Sequence, residues 1–418
     1  MRCTYVVHYS EVALKGKNRP EFVRTLRRNL ARPLAPLGPL VESRDGRLLV
    51  TVEGDQAEVE GRLSKVFGVA WLARAEMVPA EYGAIQGRVL EEARSSDAGS
   101  FMIDARRSDK QFPIGSMELA RRLGSAVVDA TRKRVDLSDP GLRVHVDVIR
   151  GKALVYSRRV QGPGGLPVGT SGRTMHLFSG GIDSPAAAWL LLKRGVRPVY
   201  LHFYLAPAPE TVVGSKIVRL VKVLSAWGGK STLLMVPFAD YQVATAEAPD
   251  DLEPSLFRRF MRMVAERAAP SFGASAVSTG DSLSQAASQT LWNIRGFDEG
   301  SSLPILRPLL TYDKEEIVGL ARRIGTYDLS LEEYKDCCAI VTRRPKTRAK
   351  PERISEYAGH LGFEELAARS LGSATLAAYD PVEDRLKVSP LARALERDAE
   401  ARSRAASDAR GGPRTRAG

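Results

Sequence analysis

Cysteine is almost missing from this chain of 418 residues: Cys3, Cys337 and Cys338 are all it has. Three thiols cannot build a disulfide framework, and their scarcity suits a reducing compartment. No Cys-x-x-Cys pair or Cys/His cluster is present, which removes a structural zinc site. Two adjacent thiols are too few to hold an iron–sulfur cluster. No apolar run reaches the roughly 18 residues that a membrane helix needs. The N-terminus also lacks the apolar core of a signal peptide, so the expectation is a cytoplasmic protein without a membrane partner. Acidic side chains are in short supply, 49 Asp and Glu against 62 Lys and Arg, a formal net charge of +13. Residues 1–170 hold 28 basic and 20 acidic side chains, an excess of 8. Such an excess attracts phosphate backbones. A Walker A loop, GxxxxGK[ST], is absent too.

What is present is enough apolar material, 44%, for real cores, and a length that suggests two or three domains. Residues 3–8 read as a strand, and Pro20-Glu21 opens a basic amphipathic helix with Phe22, Leu26 and Leu30 on one face. Strands near 40–43 and 47–53 flank the turn Arg44-Asp45-Gly46, and a helix over 55–66 closes a small α+β unit, residues 1–65. Residues 66–165 read as a second unit, with helices over 81–94 and 116–133 and strands over 100–105, 142–149 and 153–159. The Gly/Pro-rich stretch from Gln161 to Gly169 is a linker by composition. From Thr174, apolar strands (175–178, 196–203, 231–236, 274–279) alternate with helices (185–194, 211–226, 254–269, 313–324), which reads as a doubly wound parallel α/β sheet over 174–393. Residues 394–418 are rich in Arg, Ala, Ser and Gly and are expected to fray.

The chemistry sits in Ser179-Gly180-Gly181-Ile182-Asp183-Ser184, between a strand and a helix. Open α/β sheets bind ligands there. Two glycines let backbone N–H groups approach an anion, two serines add hydroxyls, and a helix N-terminus adds partial positive charge. The hexapeptide resembles the SGGxDS loop of the PP-loop ATP pyrophosphatases. A Gly-rich turn in which Asp183 is merely a cap is the plain alternative.

The wider chain resembles the tRNA 4-thiouridine synthetase (tRNA sulfurtransferase) family. The matching stretches are Tyr9 to Arg19, Thr279 to Thr290 (with Ser284 where the family usually has Gly), Arg307-Pro308-Leu309-Leu310, Asp313 to Ile317, and Cys338 with Pro345. The resemblance implies a ferredoxin-like domain, a THUMP RNA-binding domain and a PP-loop domain, in that order. It implies tRNA as substrate, ATP and Mg2+ as cofactors, adenylation of the 4-oxygen of uridine-8, and displacement of AMP by persulfide sulfur. Carried over by position, Leu177, Phe178, Ser179, Gly180, Gly181, Asp183, Ser184, His202, Phe203, Arg258, Gly280 and Gln289 are expected at the nucleotide, with no metal ligand set assigned. Phe178, His202 and Phe203 could equally be core, and Arg258 a surface arginine. Asp183, Lys314, Cys338 and, less firmly, Cys337 are the expected catalytic residues. Basic residues from Arg343 to Lys350 follow the cysteine pair and would favour a thiolate.

One departure matters. Many members carry a rhodanese domain with a second cysteine, and here no cysteine follows Cys338. The chain resembles the shorter members, which would take sulfur directly from a cysteine desulfurase. A homodimer stands as a candidate assembly, and a link to thiamine thiazole synthesis rests on the resemblance alone. The rival readings are another PP-loop tRNA-modifying enzyme and a non-catalytic THUMP tRNA-binding protein.

Overall fold

In the computed structural model, residues 2–9, 11–205, 213–334, 337 and 347–410 are described, with side chains through Ala401. The chain divides into two compact units, Met1–Val168 and Gly169–Gly418.

The first unit is one nine-stranded sheet. Its strands are β1 (Arg2–Tyr9), β2 (Leu40–Arg44), β3 (Arg47–Glu53), β4 (Val69–Pro79), β5 (Ser100–Arg107), β6 (Arg134–Val135), β7 (Leu142–Ile149), β8 (Lys152–Tyr156) and β9 (Val160–Gln161). The order is β2-β3-β1-β4-β8-β7-β5-β6, with β9 paired to β4. Helices Arg19–Ala31 and Gln56–Leu63 belong to the first half, and their Leu26, Leu30, Val59 and Leu63 pack with Tyr5, Val7 and Val50 of the sheet. Helices Tyr82–Ser95 and Ser116–Thr131 cover the second half through Ile85, Val89, Leu119 and Leu123.

The sequence reading contains no strand over 69–79. β4 is paired on both edges, to β1 through Thr4↔Ala75 and to β8 through Glu76↔Val155. Leu72, Ala73 and Ala75 are all buried, so the alternation that marks a half-buried strand is lost. β4 therefore belongs to both halves, and their backbones join in one ladder.

The second unit is built on a seven-stranded sheet. Its strands are β10 (Arg173–Leu177), β11 (Arg197–Tyr204), β12 (Ser231–Pro237), β13 (Val277–Ser278), β14 (Ile305–Leu306), β15 (Thr375–Asp380) and β16 (Arg385–Pro390). The order is β14-β13-β10-β11-β12-β15-β16. The first five are mutually parallel, as alternating strands and helices predict. β15 and β16 add an antiparallel hairpin at the β12 edge, which the sequence reading lacks. β10 sends the chain one way to β11 and β12, and the chain returns on its other side to β13. That is a topological switch point, where a crevice opens beyond the carboxyl ends of the strands.

Of the tail expected to fray, residues 411–418 lie outside the described residues. Residues Leu391–Arg410 form a helix. Alanine, arginine and glutamate are strong helix formers, and Leu391 and Leu395 pack on the main core cluster. Among the described residues, no helix is long and apolar enough to cross a membrane.

Candidate active site

β10 delivers the chain to the switch point, and the next residues form the Ser179–Ser184 loop. The loop is closed by its own hydroxyls. The Ser184 hydroxyl donates to the Ser179 carbonyl (2.9 Å) and accepts from the Ser179 amide (3.0 Å). The Gly181 amide donates to Ser179 Oγ at 3.3 Å. A hydroxyl has one proton, and Ser184, which is buried, spends it here on the Ser179 carbonyl in closing the loop.

His176, missed at the sequence level, anchors the loop from below. The Ser184 carbonyl can only accept, so His176 Nε2 carries the proton at 2.9 Å, and Nδ1 accepts from the Ser278 hydroxyl at 2.9 Å. Burial depresses this imidazole from 6.5 to about 4. His145 of the first unit is also lowered to about 4, by burial and then by Arg159. A depressed folded-state value means that the unfolded chain binds more protons between the two values. The contribution to stability is present above 6.5 and is lost as pH falls toward 4. Acidification through this window should cost on the order of 1–3 kcal/mol for such a histidine. Chemical unfolding of the full chain at pH 7 and pH 5 checks this. The pH slope should flatten in His176→Gln, and an unchanged slope would remove His176 as its source.

Gly280, just beyond β13, lies against the loop backbone. A Cβ there would stand 2.9 Å from Ser184 N and 3.0 Å from Asp183 C. Real Cβ atoms do not come so close to a backbone, so this position needs glycine for room. Gly280→Ala is expected to cost roughly 1–3 kcal/mol by overpacking. A melting curve together with the KM for ATP reads this, and an unshifted KM would mean that the loop absorbs the methyl.

The polar face of the loop holds three side chains from three segments. Lys314 Nζ donates to Asp183 Oδ1 at 3.0 Å, and Gln285 Nε2 donates to Asp183 Oδ2 at 2.8 Å. Lys314 opens the helix Lys314–Ile324, which Asp313 and Glu316 cap reciprocally. Its side chain remains half exposed, and Asp183 is about a quarter exposed. Gln285 sits in a loop tightened by Ser284 at φ +63° and by the Ser284 amide donating to the Gln289 carbonyl at 3.0 Å. A positive φ explains why glycine is usual at position 284. Nothing in the sequence pattern marks Gln285 as a partner of Asp183.

The other residues expected at the nucleotide have the following surroundings. The Phe178 ring packs on Tyr200, and the Phe203 ring packs on Phe257 and Phe260, so both are core. Leu177 also leans on the core. His202 is buried: its Nδ1 donates to the Phe178 carbonyl, and its Nε2 accepts from the Tyr334 hydroxyl, each at 2.9 Å. Arg258 forms a bidentate pair with Asp281, at 3.0 and 2.7 Å. Burial would raise the Asp281 carboxyl, but Arg258, Thr279 and Arg307 outweigh it and hold it at about 2. Arg258 therefore serves to fix the strand-end loop that carries Gly280. Gln289 Oε1 is buried with no hydrogen-bond partner among the described residues, which leaves it available.

Cys337 is 1% exposed, belongs to the main core cluster and donates its thiol to the Phe203 carbonyl at 3.2 Å. A thiol so enclosed cannot meet a donor protein, which argues against the catalytic role expected for it. Cys338 lies outside the described residues. Among the described residues no group of three or more His, Cys, Asp or Glu side chains could hold a metal ion.

Comparison with known proteins settles the family. A protein of Moorella thermoacetica named "Probable tRNA sulfurtransferase" is 37% identical over 388 residues, covering 92% of this chain and 100% of that one. The chain belongs to the tRNA sulfurtransferase family. A Thermus thermophilus member is 40% identical over 376 residues, covering 89% of this chain and 92% of its own. Three family models match in order: the ThiI ferredoxin-like domain over residues 4–73, the THUMP domain over 87–158, and the thiamine biosynthesis protein (ThiI) over 169–363. A crystal structure of a 4-thiouridine synthetase–RNA complex with bound ATP superposes with a TM-score of 0.82 and 31% identity, covering 90% of this chain and 100% of that one. Asp183, Gln285 and Lys314 all lie within the span that the ThiI model matches.

Proposed function

We propose that this chain is an ATP-dependent tRNA sulfurtransferase that adenylates uridine-8 and replaces its 4-oxygen with sulfur. The observation that carries the reading is the closed Ser179–Ser184 loop at the switch point, with Lys314 and Gln285 fixed on Asp183. An amide-like carbonyl oxygen is a poor leaving group. Transfer of AMP onto it, with loss of pyrophosphate, makes it a good one. Glycine N–H groups and the helix beginning at Asp183 suit the phosphates. Lys314 is positioned to offset charge developing on the phosphate undergoing substitution. Mg2+ would be held by Asp183 together with the nucleotide phosphates, since such ions take one or two carboxylates plus phosphate, and it supplies charge neutralisation when bound. The terminal sulfur of a persulfide loaded by a cysteine desulfurase then attacks the activated carbon and AMP leaves; a second thiol, such as free cysteine, cleaves the resulting S–S bond, becoming half of a disulfide as 4-thiouridine is released. The link to thiamine thiazole synthesis is part of the same proposal, through the description of the matching family model.

The first unit supplies the RNA-binding side of the reading. Its basic excess suits a phosphate backbone. His8 and Trp71 stack at 5.0 Å and 4°, and the Arg159 guanidinium lies 4.1 Å from the Trp71 ring centroid. Flat aromatic and guanidinium faces of this kind suit unpaired bases.

Reconstitution with tRNA, Mg-ATP and a sulfur donor, followed by nucleoside mass spectrometry, tests the function. Formation of 4-thiouridine at position 8 with equivalent AMP is expected. ATP consumption with no thionucleoside would point to another modification of tRNA.

A further inference from the structure

The loop that supplies Gln285 to Asp183 also leaves apolar side chains in solvent. Leu283, Leu291 and Trp292 are 40%, 67% and 50% exposed, on either side of Gln285 in the chain. Single exposed apolar side chains are ordinary, but a group of them beside a polar cluster marks a surface that meets something. The loop is firmly held. The Ser284 amide donates to the Gln289 carbonyl at 3.0 Å, which brings its two ends together, and Asn293 Nδ2 donates to the Ala287 carbonyl at 2.7 Å. The Ser282 hydroxyl donates at 2.7 Å to the carbonyl of Tyr312, two residues before Lys314. Thr290 caps the helix Leu291–Asp298, and its hydroxyl donates to the Thr347 carbonyl at 2.7 Å. Asn293 Oδ1 accepts from the Ala349 amide at 3.1 Å. These bonds lay residues 347–349 along the start of the helix and set the exposed Arg348 guanidinium 5.9 Å from the centre of the Trp292 ring.

A fixed indole, half in solvent, with leucines beside it and a guanidinium near its ring, has the makeup of a base platform. Every base has a π-face that an aromatic ring can receive, and arginine suits the phosphate next to it. A uracil that is to be activated must also leave its own stack and be held still while AMP is transferred. From this geometry we infer that Trp292 is a substrate-binding residue, on whose indole the extruded target uracil stacks beside Asp183 and Lys314. The inference rests on the sulfurtransferase reading and deepens it by naming what holds the base. The bulk of tRNA affinity stays with the first unit, and Trp292 acts on the later step in which the base is placed.

The unaltered chain, Trp292→Ala and Trp292→Phe are compared in single-turnover formation of 4-thiouridine at saturating tRNA and Mg-ATP. Sulfide serves as donor, which removes the desulfurase from the comparison. Trp292→Ala is expected to lower the rate roughly tenfold, the scale of one base–aromatic stack, and Trp292→Phe to stay within about threefold. The KM for ATP should hold in both. An unchanged rate in Trp292→Ala, no rescue by phenylalanine, or a KM for ATP that rises in step with the loss would overturn the platform. Fluorescence gives a second readout that needs no turnover. The chain has four tryptophans, so the quenching on adding tRNA that is present in the unaltered chain and missing in Trp292→Phe belongs to Trp292. That share should vanish with a transcript abasic at position 8, and its survival would mean that another base, or none, lies on the ring. This comparison carries the test if Trp292→Ala fails to fold. Failure of the unaltered chain to make any 4-thiouridine would instead overturn the functional reading beneath it.

Discussion

Asp183→Ala is expected to lower thiolation roughly a thousandfold, on the scale of losing a preorganised charge at a reacting phosphate. Asp183 gathers two side chains from distant segments at the loop, Lys314 at 3.0 Å and Gln285 at 2.8 Å. Without its carboxylate, Lys314 loses the acceptor that aims it, and the loop loses its candidate Mg2+ ligand. Affinity for tRNA should be unchanged, because the proposed RNA-binding surface lies in the separate unit Met1–Val168. Asp183→Asn keeps the shape and removes the charge, so an equal loss in both variants assigns the effect to charge. Filter binding for tRNA and single-turnover formation of 4-thiouridine measure the two halves. A parallel fall in tRNA affinity would refute this division of labour.

Cys338→Ser is expected to abolish turnover with a cysteine desulfurase and cysteine as the donor, while ATP and tRNA still bind. Cysteine is scarce: no cysteine follows Cys338, and Cys3 belongs to β1 of the first unit. The structure then places Cys337. Cys337 is spent on the core and on the Phe203 carbonyl. Cys337→Ser, whose hydroxyl can donate to the same carbonyl, should keep most of its turnover and lose about 1 kcal/mol of stability. The sequence alone favours an intermediate loss there, through a part in resolving the persulfide. Cys3→Ser should be nearly silent. Alkylation trapping of the persulfide, run beside the turnover assay, reads all three. Full desulfurase-driven turnover in Cys338→Ser would mean that sulfur reaches the base by another path.

The sequence by itself determined the strand–loop–helix context of Ser179–Ser184, the parallel alternation after Thr174 and most helix positions, because these rest on local periodicity and on glycine and proline signals. It also marked Asp183 and Lys314, through motifs matched to a family. Tertiary structure alone decided which of the marked residues meet. Lys314 is 131 residues from Asp183 in sequence, and only the return of the chain to the switch point joins them. Arg258 and Asp281, 23 residues apart, neutralise one another by the same kind of long-range packing, which no spacing rule reports. Gln285 and His176 stand in ordinary sequence surroundings, and their roles come from hydrogen bonds to distant backbone and side-chain atoms. β4 escaped for a related reason: Leu72 and Ala73, adjacent and so on opposite faces, are both buried, which breaks the alternation in its first half. Cys337 and Cys338 are identical in type and adjacent in the chain, and only the burial of Cys337 against Phe203 marks it as a packing thiol.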